Sequence, residues 1–180
     1  DTSSLAVEEY SWYARPNRTH LRDIPLVDEL DSVITKLKPE INGKVTIMSG
    51  QAGFVAYYAA REHYREIEFI DRRGITTSHF TDCGGTQEVE RATTGLLLTY
   101  TAFFANQEDI EDECGIERPH VIFELDLPEL IVENAVTKNG YVVVYRQTGK
   151  IQTSKTLQGI EVLAHEFIAV RDDLVSLGSS

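Results

Sequence analysis

Basic residues are scarce in this chain: 17 Lys and Arg stand against 29 Asp and Glu, for a net charge of −12. A nucleic-acid binder needs a basic face to neutralise phosphates, so no nucleic-acid partner is expected, and anionic membrane surfaces are disfavoured on the same ground. Long apolar runs are missing too. The best candidate, TTGLLLTYTAFFAN (93–106), contains polar residues and falls short of the about 20 residues a membrane-spanning helix needs. No signal-peptide pattern opens the chain. Its first residue is Asp, which is expected of a piece of a longer protein. Only two cysteines occur, Cys83 in HFTDCGGTQ and Cys114 in EDECGIERP. Both settings are polar, unlike those of buried free thiols. A bond between them would close a loop of roughly 30 residues and contribute about 3–4 kcal/mol; two unrelated thiols are the alternative.

Several catalytic signatures are also absent. There is neither a Gly-x-Ser-x-Gly elbow nor a phosphate-binding Walker loop. HEFIA (165–169) begins like a zinc-binding His-Glu-x-x-His, but its fifth residue is Ala169, and it lies in a strand-like pattern. HFTDC (79–83) gathers His79, Asp82 and Cys83, too few ligands for a closed metal shell; Asp82 is expected to fix the loop. NQEDIEDECGIERP (106–119) reads as an acidic surface loop, and its EDIEDE (108–113) lacks the ligand order of a calcium site. His120, after Pro119, reads as structural. No catalytic residue, metal or cofactor is therefore expected.

What remains is an ordinary globular composition, 42% hydrophobic and 26% charged, in 180 residues, enough for one domain with a real core. Residues 1–42 read as a helical lead-in, with Ile24, Val27, Leu30, Ile34 and Leu37 at three- and four-residue steps and a stop at Pro39. Residues 43–175 read as sheet and helices. Strands are expected at 44–49, 67–70, 120–125 and 141–147, with TGK (148–150) turning the chain into an antiparallel edge strand within IEVLAHEFIAVRDD. Helices are expected at 50–64, 88–105 and within LPELIVENAVTKNG, and residues 176–180 form a frayed tail. HVIFEL, apolar without alternation, is expected at the sheet centre. Strands alternating with helices predict a small α/β domain, a Rossmann-like three-layer sandwich with a mostly parallel sheet of about five strands.

The stretch KVTIMSGQAGFVAYYAAREHYREIEFIDRRG (44–74) carries the functional question. It has the outline of a nucleotide-binding βαβ unit, ending on Asp71 where a ribose-binding acid would sit, yet its turn SGQAGF supplies only Gly50 and Gly53 of the required glycine triplet. A tight turn with close helix–strand packing is the better reading. Ligands in open α/β sheets bind beyond the carboxyl ends of the strands, where Ser49, Gln51, Asp71, Arg73, Thr76 and His79 are expected to gather. Such a set could hold sugar hydroxyls; it could equally form a solvated surface or an Asp–Arg pair.

The segment from 45 to 83 also resembles the extracytoplasmic C-terminal part of polytopic, lipid-phosphosugar-dependent bacterial glycosyltransferases, related to the arabinofuranosyltransferases and protein mannosyltransferases. Gly53, Tyr57 and Tyr58 match that family's G-x-x-x-Y-Y helix; Asp71, Gly74 and Thr76 match its D-x-x-G-L-T-D element, with Ile75 in place of Leu and Thr77 in place of the second acid. GYVVVYR and FIAVRDDL are similar to its later strands. The resemblance implies a non-catalytic accessory domain outside the cytoplasm, beside the transmembrane portion of its parent, which either positions an acceptor glycan or simply braces the membrane part; the glycan would bind at the strand-end set Gln51, Asp71, Arg73, Thr76 and His79. It also implies a Cys83–Cys114 disulfide, since that compartment is oxidising. The competing expectation is a free-standing nucleotide- or sugar-nucleotide-binding enzyme.

Overall fold

A computed structural model describes residues 25–50, 62–71, 100, 103–105, 107–129, 132–153 and 161–175. Its framework is an open five-stranded sheet: β1 (Val45–Ser49), β2 (Ile67–Asp71), β3 (Val121–Pro128), β4 (Tyr141–Thr153) and β5 (Glu161–Arg171), in the order β2-β1-β3-β5-β4. β1 pairs in parallel with β2 and β3; β5 pairs antiparallel with β3 and β4. Four strands thus share one direction and β5 alone runs against them.

Each face of the sheet carries its own apolar cluster, and strand alternation divides the residues between them. Val45 and Ile47 of β1, Val121, Phe123 and Leu125 of β3, and Ile168 and Val170 of β5 point to one face. Helix α1 (Pro25–Leu37) lies there and buries Leu26, Leu30, Ile34 and Leu37. Each such burial contributes about 1.5–3 kcal/mol. The stripe is set by Leu26 rather than by Val27, which is only half-buried; Ile24 lies outside the described residues. Pro25 suits the first helical position, where its missing N–H is not needed. The opposite face collects Met48, Ile122, Phe167 and Ala169 with Tyr100, Phe103, Ile110, Val132, Ala135, Val136 and Tyr141.

Four expectations need correction. First, Asn106–Pro119 is not all loop: Gln107–Cys114 forms helix α2. Glu108 and Asp109 stand in its first turn, where the helix dipole favours acids, and Ile110 is buried. Gly115, at φ +62°, closes the helix by donating its N–H to the Glu111 carbonyl at 2.9 Å. Second, Thr148–Lys150 does not turn the chain. These residues continue β4, and the extra length is absorbed by a register shift between Thr148 and Ile151; a glycine inside a strand commonly marks such a bulge. Third, β5 is not an edge strand. It runs between β3 and β4, buried from Phe167 to Val170, and β4 takes the edge. Fourth, the LPELIVENAVTKNG helix is present over Val132–Asn139 as a π-helical turn and a 3₁₀ turn. It ends as expected on Gly140 in the left-handed conformation. The one-turn helix α3 (Asp172–Val175) follows β5. The β1–β2 crossover helix and most of the 88–105 helix lie outside the described residues.

Candidate functional site

The parallel register of β1 and β2 brings Ser49 level with Asp71, so the two strands end at one edge of the sheet. β3 extends past that edge. At its fourth residue, after Val121, Ile122 and Phe123, stands Glu124, only 2% exposed. Its carboxylate Oε1 accepts the Gly50 N–H at 2.8 Å and the Tyr100 hydroxyl at 2.6 Å. Burying a carboxylate is costly unless donors replace its water, and these two charge-assisted bonds do part of that. The edge is therefore built around an acid that draws the end of β1 and Tyr100 together from one face.

This arrangement bears on nucleotide binding. In dinucleotide folds the turn after the first strand offers its N–H groups to a phosphate. Here the Gly50 N–H is taken by Glu124, and an acid beneath the turn opposes an anion above it.

A second polar group lies on the same face of the sheet. Phe167 of β5 stands opposite Glu124, and His165 is the next same-face residue towards the carboxyl edge. His165 is 3% exposed, and neither ring nitrogen has a hydrogen-bond partner among the described residues. Its Nε2 stands 3.7 Å from Glu129 Oε2, beyond hydrogen-bond distance, while Glu129 Oε1 accepts from Arg146 at 3.1 Å. Two β-bulges flank this histidine. It pairs with Leu127 just after the register shift in β3, and with Thr148 just before the shift in β4.

Of the residues singled out in the sequence, Asp71 sits at the expected edge. Gln51, Arg73, Thr76, His79, Asp82 and Cys83 lie outside the described residues. Cys114 ends α2, half-buried against the apolar cluster, and no free cysteine occurs among the described residues. HEFIA lies in β5, as expected. Sequence reasoning missed Glu124, Tyr100 and the setting of His165. The signal for Glu124 was the one acid in HVIFEL, a residue type rarely buried without partners.

The opposite end of the sheet has a different character. A groove of about 550 Å³ opens there, lined in part by Glu40, Lys44, Thr46, Glu68, His120 and Arg171. Its main polar groups are engaged with one another. His120 Nδ1 accepts the Thr46 N–H at 2.9 Å, so in the neutral ring the proton sits on Nε2. The His120 N–H donates to Thr46 Oγ1 at 3.0 Å, and its carbonyl accepts from the Arg171 N–H at 3.0 Å. Burial, aided by the Arg171 charge, lowers the His120 pKa below its ordinary value. The Arg171 guanidinium grips Asp173 at 2.7 and 3.0 Å. The Tyr141 hydroxyl donates to the Pro119 carbonyl at 2.6 Å beneath Arg118, and burial pushes its pKa up to about 12. His120 is structural, as the sequence suggested: it ties β1, β3 and β5 together. The groove is thus a gap between polar groups that are mostly engaged with one another. The carboxyl edge is the better candidate because there both ring nitrogens of a buried histidine have no hydrogen-bond partner among the described residues, whereas in Arg118 at the opposite end one guanidinium nitrogen, Nε, is left so.

Among the described residues no cluster of three or more His, Cys, Asp or Glu could hold a metal ion, and no helix is long and apolar enough to cross a membrane. The chain matches no family model, and no curated protein is significantly similar to it.

Proposed function

We propose that this chain is a non-catalytic accessory domain of a polytopic, lipid-phosphosugar-dependent glycosyltransferase, held outside the cytoplasm beside the transmembrane portion of its parent, where it positions an acceptor glycan. The domain is a Rossmann-like three-layer sandwich whose sheet presents its carboxyl edge to the glycan. One observation carries this reading best: Ser49 and Asp71 end level with each other at that edge. The βαβ segment that resembles the glycosyltransferase tail therefore delivers Asp71 where open sheets bind ligands. Gln51, Arg73, Thr76 and His79 complete the binding set. Cys83 and Cys114 form the disulfide suited to an oxidising compartment.

Isothermal titration with mannose and arabinose oligosaccharides tests the binding; saturable heat is expected, and its absence at millimolar ligand removes the glycan role. Alkylation without prior reduction tests the disulfide, both cysteines being expected to stay unmodified. The nucleotide-binding alternative is disfavoured by the engagement of the Gly50 N–H with Glu124. It predicts a rise in melting temperature with nucleotides or sugar nucleotides, by mass action; none is expected.

A further inference from the structure

We propose that His165, with Glu129 and Arg146 beside it, is a contact point for one sugar ring of a neutral, polyhydroxylated ligand. The proposal rests on the glycan-binding reading above and extends the site from the β1–β2 corner to β5. Its basis is a polar side chain in an unusual position. His165 is buried in the middle of the sheet, yet both its ring nitrogens lack a hydrogen-bond partner among the described residues. Leaving buried polar atoms unpaired is destabilising, so a protein retains such a group where something other than folding uses it. Bulges in both neighbouring strands flank His165. Such bulges are enriched beside functional sites, where they re-aim side chains. The two charged neighbours of His165 reach solvent: Glu129 and Arg146 are 45% and 34% exposed.

The chemistry of the trio selects the ligand. A neutral imidazole offers one donor and one acceptor, and the Glu129 carboxylate only accepts. Nε2 and Oε2 are 3.7 Å apart, so one hydroxyl lying against both can accept from a protonated Nε2 and donate to Oε2. An anion is repelled by the Glu129 carboxylate, and a fully ionised one has no proton to donate to it. A metal cation would have only two ligands here, with the Arg146 guanidinium held 3.1 Å from the same carboxylate. Arg146 and Glu129 cancel in charge, which suits an uncharged partner.

The test follows the ring nitrogens of His165 by NMR in the unaltered protein during titration with D-mannose and D-arabinose, with inorganic phosphate and zinc as controls. A saturable shift with at least one sugar is expected. His165→Gln and Glu129→Ala should each weaken that sugar about tenfold, the loss of roughly one hydrogen bond, at unchanged melting temperature. A ring that ignores both sugars, or answers only phosphate or zinc, overturns the proposal. Oligosaccharide heat that persists undiminished in His165→Gln overturns this assignment and leaves the glycan reading intact. No heat from the unaltered protein removes both.

Discussion

The two ends of the sheet hold one histidine each, His120 half-buried and His165 buried, and the two differ in how far the protein satisfies them. His120, at the amino end of β3, is bonded through its ring, its N–H and its carbonyl, and so ties three strands. His165, near the carboxyl end, is more deeply buried and has no such bonds among the described residues. The amino end, with Arg171–Asp173, Arg118 over Tyr141 and the Pro119 carbonyl, is a structural clasp whose polar groups mostly answer each other, although Arg118 Nε is buried without a hydrogen-bond partner among the described residues. At the carboxyl end Glu124 is engaged in that way, by Gly50 and Tyr100. The contrast teaches that a cavity's size says less about function than the state of the polar atoms around it.

The comparison can be broken or sharpened in four ways. The largest effect belongs to Glu124→Ala, which strands the Gly50 N–H and the Tyr100 hydroxyl in an apolar face. Urea unfolding should show a loss of about 2–4 kcal/mol, and a loss below about 0.5 kcal/mol would mean that this edge does not depend on its acid. At the other end, Gly140 holds φ +75°, and an added Cβ would meet Arg118 at 3.0 Å and Asp172 at 3.1 Å. Gly140→Ala should therefore cost about 1–3 kcal/mol in the same assay, from left-handed strain plus displacement of the clasp.

The sharpest contrast is between matched substitutions. His120→Leu strands the Thr46 N–H and should cost about 1–3 kcal/mol, whereas His165→Leu removes unpaired polar atoms and should be within about 0.5 kcal/mol of neutral, or stabilising. Equal losses at both positions would erase the distinction. The smallest effect is at His63. Burial opposes its charged form, but hydrogen bonds to Glu66 and Asp31, at 3.0 and 2.5 Å, outweigh it and raise the pKa above 6.5. A raised folded-state pKa contributes stability that is complete below the unfolded value and is lost as pH rises through the folded one. The stability advantage of the native protein over His63→Gln should thus shrink as pH rises from 6 to 8, by under about 1 kcal/mol because Asp31 and Glu66 are solvent-exposed. An advantage that does not vary with pH would exclude the pairing.

Much of the framework was legible in the sequence because it follows from local periodicity. The α1 stripe, the β1 and β2 strands, the centrality of β3 and the cap at Gly140 all rest on spacings within a few residues. The failures share a cause. TGK looked like a turn because Gly149 is permissive, and only the run of partners on β5 kept the strand going through it. The 107–114 stretch looked like loop because it is acidic, and the buried Ile110 and the Gly115 cap were too sparse a signal. β5 was placed at the edge because its order in the chain is last, whereas its place in the sheet depends on pairing with β3. The candidate site was legible only at Asp71. Glu124 and His165 sit in segments whose apolar character hides them until the strands align.

By itself, then, the sequence determined the class of this protein: an acidic α/β domain with parallel β1 and β2 ending on Asp71. Hydrophobic spacing and charge are local properties that no partner strand needs to confirm. Only the tertiary structure decided which histidine is satisfied, which strand is the edge, and that Gly50 answers to Glu124, 74 positions away. Hydrogen bonds between distant strands depend on register, and register is a property of the assembled sheet.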